Sequence, residues 1–119
     1  MKIKRLDNLF LGANDLEQAR SFYTQTLGLG IKFDFSHNGL LAFKIGDDEP
    51  AIILKNLGKY PKTQPTIWFE VDSVWKAYEV LKSKKVTFLS EPFKISTGWA
   101  VEFLDPSSNK LGLTDYLAD

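Results

Sequence analysis

Apolar positions along the chain follow two periods, and the order in which the periods change lays out the elements. Over residues 6–12 the pattern alternates. Leu9, Leu11 and Ala13 point one way and Asn8, Phe10 and Gly12 the other, as a strand presents two faces. The period then becomes helical, with Leu16, Ala19, Phe22, Tyr23 and Leu27 on one stripe. Asn14 or Asp15 can cap this helix, Glu17 suits its first turn, and Gly28 stops it. Three short strands fit 30–35, 40–45 and 51–55, with turns at 37–39 and 46–50. Residues 56–65 form a polar connector containing Pro and Lys. After it the order repeats: a strand over 66–71, Asp72 as cap, a helix stripe of Val74, Ala77, Tyr78 and Leu81, then strands over 86–90, 98–104 and 110–114. The last turn is Asp105-Pro106-Ser107-Ser108-Asn109.

The two halves align at one offset of 58 positions without a gap, which sets Leu9 on Ile67, Phe10 on Trp68, Leu16 on Val74, Ala42 on Ala100 and Ile53 on Leu111. Agreement lies in apolar class and element order rather than in identity, the mark of a structural duplication. The expected architecture is therefore α+β: one domain over 1–119, built of two tandem β-α-β-β-β modules, the first over 1–58, the connector over about 56–65, and the second over 66–119. A helix covers one face of each curved mixed sheet. The other faces are expected to form a cleft, where ligands bind.

Composition narrows the function classes. With 44% apolar residues a sizeable core can form. Lys+Arg and Asp+Glu both number 15, so no global field draws in nucleic acid or an anionic membrane. The basic group Lys82, Lys84 and Lys85 ends a helix, where the dipole favours cations. Cysteine is absent, which excludes disulfides and thiol chemistry. No run is long and apolar enough to serve as a signal peptide or to span a bilayer, so a soluble cytoplasmic protein is expected.

The stretch 11–29, with Asp15, Leu16, Phe22, Tyr23, Leu27 and Gly28, resembles the opening of the glyoxalase / bleomycin-resistance / dioxygenase family. Residues 69–86 resemble the start of its second module. Residues 101–113 resemble its closing hairpin, with Asp105, Pro106 and Asn109 in place but Ser108 where the turn glycine is usual. The resemblance covers nearly the whole chain and implies the vicinal oxygen chelate fold. Metal-dependent relatives hold a divalent ion through His or Glu, one near the start of the first strand and one near the end of the last strand of each module. Those places fall here on Asn8, Leu54, Thr66 and Gly112. Leu and Gly supply no donor, and neutral Asn and Thr oxygens are weak ligands for a transition metal, so no metal and no cofactor are expected.

Strand parity puts Asn8, Phe10, Leu54, Thr66, Trp68, Glu70, Gly112 and Thr114 on the cleft side, and Trp99 and Glu102 join them if the strand from Gly98 turns that way. Phe10 and Trp68 either fill space between sheets or stack on a ligand, with Asn8, Thr66 and Thr114 to orient it. Glu70 and Glu102 are the acid/base candidates, and Glu70 would favour a cationic group. His37, the single histidine, falls in a turn, and no nucleophile-base pair is present. The pattern, with the resemblance, points to a metal-free protein that binds or sequesters a small organic molecule, planar or extended and partly apolar, with an aromatic one as a candidate. Rival readings are a lyase- or dioxygenase-type enzyme and a structural module with a closed cleft. Trp75 beside its helix stripe, together with the family's habit of pairing chains, implies a homodimer.

Overall fold

The computed structural model describes residues 1–47 and 50–118, so the turn expected over 46–50 falls partly, at Asp48 and Glu49, outside the described residues. The chain divides into two units. The N-terminal unit is Asn8–Pro65, and the C-terminal unit joins Met1–Asp7 to Thr66–Asp119. Among the described residues no helix is long and apolar enough to cross a membrane.

In the N-terminal unit, strand β1 (Ile3–Ala13, its residues from Asn8 on) leads into helix α1 (Leu16–Ser21). Asp15 caps α1 by accepting from the N–H groups of Glu17 at 2.9 Å and Gln18 at 3.1 Å. The helix does not continue regularly to Gly28. Phe22–Thr26 is a π-helical turn, closed by the Leu27 N–H donating to the Phe22 carbonyl. The wider turn takes Phe22 and Leu27 off the apolar stripe, leaving them 50% and 52% exposed, while Tyr23 stays in and stacks on Phe43 at 4.9 Å. Strands β2 (Ile31–Phe35), β3 (Leu40–Lys44) and β4 (Ala51–Asn56) follow. β4 runs parallel to β1 and antiparallel to β3, and β3 is antiparallel to β2. On the helix side Leu16, Leu41, Phe43 and Leu54 make the core, with Leu11, Ala19 and Tyr23 packed against it. On the opposite side Ala42, Ala51 and Ile53 are buried beneath Phe10, Phe33 and Leu40.

The C-terminal unit repeats this plan with strand β5 (Thr66–Val71) and helix α2 (Val74–Ser83). The expected cap, Asp72, is instead ion-paired to Lys4 at 3.3 Å. Ser73, one residue on, accepts from the Lys76 N–H at 3.2 Å. The expected strand over 86–90 shrinks to β6 (Thr87–Phe88), and a further strand, β7 (Phe93–Ile95), precedes β8 (Gly98–Leu104) and β9 (Lys110–Thr114). β9 is parallel to β5 and antiparallel to β8, and β8 pairs with both β6 and β7. Val71, Val74, Ala77, Tyr78, Val101 and Leu113 form the helix-side core.

Equivalent core positions correct the gapless offset. Leu16 and Val74 differ by 58, but Leu41 and Val101 differ by 60, and Leu54 and Leu113 by 59. The chain between helix and third strand is longer in the C-terminal unit, where β6 and β7 replace the single β2. An odd offset at the last strand reverses side-chain parity there.

Candidate functional site

Each unit presents a sheet face without a helix, and the register assigns residues to it. In the C-terminal unit Trp68 on β5, Gly112 on β9 and Glu102 on β8 lie in one row. Glu70, Thr114 and Ala100 form the next. The indole of Trp68 lies directly over Gly112. A Cβ added at Gly112 would stand 2.5 Å from Cδ2 and Cε3 of that ring, so glycine is what lets the ring lie flat on the sheet. Thr66 and Thr114 are both buried. The Thr114 hydroxyl is within 3.2 Å of the Trp99 carbonyl and 3.3 Å of the Asp115 carbonyl, so it holds its own strands together.

The two carboxylates of this face are matched by cations. Glu70 pairs with Lys4 at 3.4 Å and with Arg5 at 3.2 Å. Glu102 pairs with Lys110 at 3.0 Å. The expectation that Glu70 attracts a cation is therefore corrected: its charge is already met by two. Beside them the Tyr116 hydroxyl donates to Asp7 at 2.5 Å. Burial and then Asp7 push the Tyr116 phenol above its ordinary range, so it is a donor and not a base.

In the N-terminal unit the helix-free face carries Phe10, Ala51, Ile53 and Lys55, with Asn8 accepting from the Ala51 N–H at 3.2 Å. Leu54 is not among them. It pairs with Leu11 and Leu41 and packs under α1, 2% exposed. Its placement by the fixed offset is corrected, and Ile53 is the register counterpart of Gly112. Trp99 is likewise on the helix side, edge-on to Trp75 at 5.6 Å, because it shares parity with buried Val101. Glu102 alone of that pair takes the helix-free face. His37 sits in a 3-10 turn (Ser36–Asn38), exposed and edge-on to Phe35.

The family's metal-binding places do not fit a metal here. With parity corrected they read Asn8, Ile53, Thr66 and Gly112, which offer neither imidazole nor carboxylate. Among the described residues no three His, Cys, Asp or Glu side chains converge as a cage.

Sequence reasoning missed four residues that shape these faces or their supports. Lys4 and Arg5 precede the strand expected over 6–12 but lie within β1. Lys55, at the end of β4, shares parity with Ile53 and places its Nζ 4.9 Å from the centroid of Phe10. Asp115 is buried, and its carboxylate accepts from the N–H groups of Val74 at 2.7 Å, Trp99 at 2.9 Å and Leu117 at 3.2 Å. It ties the start of α2 to β8 and the C-terminal segment, a structural duty.

Comparison with known proteins places this geometry. The sequence profile of the Glyoxalase/Bleomycin resistance protein/Dioxygenase superfamily matches residues 5–113, and the chain belongs to that superfamily. It is 26% identical over 115 residues to the uncharacterized protein YetH of Bacillus subtilis (strain 168), covering 90% of this chain and 94% of that one. In structure it is similar to the hypothetical protein BH1468 of Bacillus halodurans C-125, with a TM-score of 0.74 at 18% identity over 97% and 96% of the two chains. It is also similar to Streptomyces coelicolor methylmalonyl-CoA epimerase bound to 2-nitronate-propionyl-CoA, with a TM-score of 0.73 at 20% identity over 98% and 100%. These structural likenesses establish the fold.

Proposed function

We propose that this member of the superfamily binds a small, partly apolar organic molecule without a metal, using the helix-free sheet faces. The observation that carries the reading is Trp68 laid across Gly112, an aromatic floor that exists only because position 112 has no side chain. Such a floor stacks flat ligands, adding roughly 0.5–1.5 kcal/mol beyond area burial. Phe10 gives the N-terminal unit an aromatic group on the corresponding face. In the reading Asn8 accompanies Phe10 on the face of the N-terminal unit, and Thr66, Glu70, Glu102, Gly112 and Thr114 accompany Trp68 on that of the C-terminal unit. Leu54 and Trp99 leave it.

A thermal-shift and fluorescence screen against aromatic natural products and peptide-like antibiotics tests it. A hit raises the melting temperature of the parent by mass action, and Trp68→Ala loses that effect. Equal binding to Trp68→Ala, or no hit at all, overturns the assignment, the second outcome favouring a purely structural role. Soaking with nickel, zinc or manganese, desalting and analysing the metal tests the metal-free part. One equivalent per chain sinks it.

The likeness in fold to methylmalonyl-CoA epimerase supports an enzyme as the competing reading. An epimerase needs a base, and Glu70 or Glu102 would first have to part from its cation. Incubation with methylmalonyl-CoA in deuterated water, following loss of the α-proton, decides between the two. Exchange abolished by Glu70→Gln or Glu102→Gln overturns the binding-only reading.

A further inference from the structure

The C-terminal unit has a cleft on its helix side, across the sheet from Trp68. It measures about 550 Å³ and opens to solvent. Clefts that bind small molecules run from roughly 300 to 1,000 Å³. Ser73, Lys76, Ala77 and Val80 are spaced i, i+3, i+4 and i+7, so they share the face of α2 that lines it. The floor is apolar. Val71, at the end of β5, and Ala77 are buried, and Val80 and Met1 extend the surface. Ala77 sits within that helix face, and its single methyl leaves room that a longer side chain would fill.

The rim is cationic. Lys2 and Lys76 line it, both exposed, and among the described residues neither is ion-paired. The carboxylate at the rim, Asp72, is already paired with Lys4 at 3.3 Å. The start of α2 is occupied as well, since Ser73 accepts from the Lys76 N–H at 3.2 Å and Asp115 from the Val74 N–H at 2.7 Å. The charge left over is that of the two ammonium groups. From this arrangement we infer that the cleft binds an amphipathic organic anion, its carboxylate or phosphate head held by Lys2 and Lys76 and its short apolar body laid over Val71, Ala77 and Val80. Burial of the body drives association. The ammonium groups select an anion, because opposite charges beside apolar walls attract more strongly than in open water. Every residue of the cleft belongs to the C-terminal unit, and the site does not depend on the helix-free faces.

Octanoate, octyl phosphate and the neutral octanamide carry similar apolar bodies and differ in the head group. Each is titrated into isotope-labelled protein while the backbone amide signals are followed by NMR. At least one anion is expected to bind more tightly than octanamide and to shift the amides of residues 71–80 most, and the tighter anion identifies the head group. Replacing both cations, Lys2→Met and Lys76→Met together, should weaken that anion about tenfold and leave octanamide unchanged, the effect of losing a charge-assisted contact. Lys84→Met, at the other end of α2, should change nothing, and Trp68→Ala should bind the anion as the parent does. The amide spectrum of each variant establishes that it is folded. Equal affinity for the anions and octanamide, an unchanged anion affinity in the double variant, or no binding of any probe overturns the inference and leaves the reading of the helix-free faces as it was. Loss of anion binding in Trp68→Ala moves the ligand to the helix-free face and overturns this site.

Discussion

Replacing Gly112 with alanine tests the geometry on which the site is built. The new Cβ would stand 2.5 Å from two atoms of the Trp68 ring and 2.7 Å from a third, Cε2. Carbon atoms pack best at about 3.5–4.0 Å, so the gap must open by roughly 1 Å. The indole is rigid, and β9 is held on both sides by β5 and β8, so the strand cannot retreat. Overpacking of this kind costs about 1–3 kcal/mol, against which alanine regains about 0.5–1 kcal/mol over glycine in a strand. The net expectation is a loss of about 1–2 kcal/mol. For a chain of this size that is a fall in Tm of roughly 4–8 °C. Urea unfolding followed by far-UV circular dichroism measures it, and the near-UV band should change as Trp68 tilts. Because the cost arises only from the ring, a double-mutant cycle isolates it. In a Trp68→Ala background, Gly112→Ala should be neutral or slightly stabilising. An equal loss in both backgrounds would refute the reasoning, as would no loss in the parent.

Three further outcomes are expected. Asp115→Asn keeps shape but turns one of the two accepting oxygens into a donor facing a backbone N–H, which should cost about 2–3 kcal/mol, or roughly 8–12 °C in Tm. A loss under about 1 kcal/mol would show that water replaces the lost acceptor. The Asp34 carboxyl is held well below the usual carboxylate range, chiefly by the Arg20 guanidinium at 2.8 Å and then by Ser36. A depressed folded-state pKa adds stability above the unfolded value of about 3.9, and that stability is lost as pH falls further. The stability difference between parent and Asp34→Asn should therefore shrink on acidification below about pH 4 and be smaller in high salt; a constant difference from neutral to acid pH contradicts this. Exposed Phe22, Phe35 and Trp75 make a homodimer the expected state, and light scattering that returns the 13.5 kDa monomer mass at every micromolar concentration rejects it.

The strands β5, β8 and β9 could be read from the chain with their observed bounds because turn-forming residues bracket each of them. The family signature followed from the helix openings and the Asp105 turn. There Asp105 accepts from the N–H groups of Ser107 and Asn109, both at 2.8 Å, and Ser108 takes the left-handed φ of 65° that glycine usually serves. The π-helical turn at Phe22–Thr26 was hidden, since its residues fit a regular helix equally well; in the structure Tyr23 stacks on Phe43 while Phe22 is left exposed. Asp115 was hidden for another reason. Its partners are three backbone N–H groups distant in sequence or without side-chain signature, and no pattern of residue types announces them.

The error with the largest consequence was a parity reversal of one residue. A fixed offset carried Leu54 onto the helix-free face as the counterpart of Gly112. Register with β1 and β3 turns Leu54 under α1 and brings Ile53 and Lys55 to that face instead. One step of register thus exchanges Leu54 for Ile53 on the candidate surface and brings Lys55 to the same face. Glu70, which alternation alone offers to a cationic group, is already paired with Lys4 and Arg5, two residues that precede the strand expected over 6–12 and so stood outside the alternation that placed Glu70.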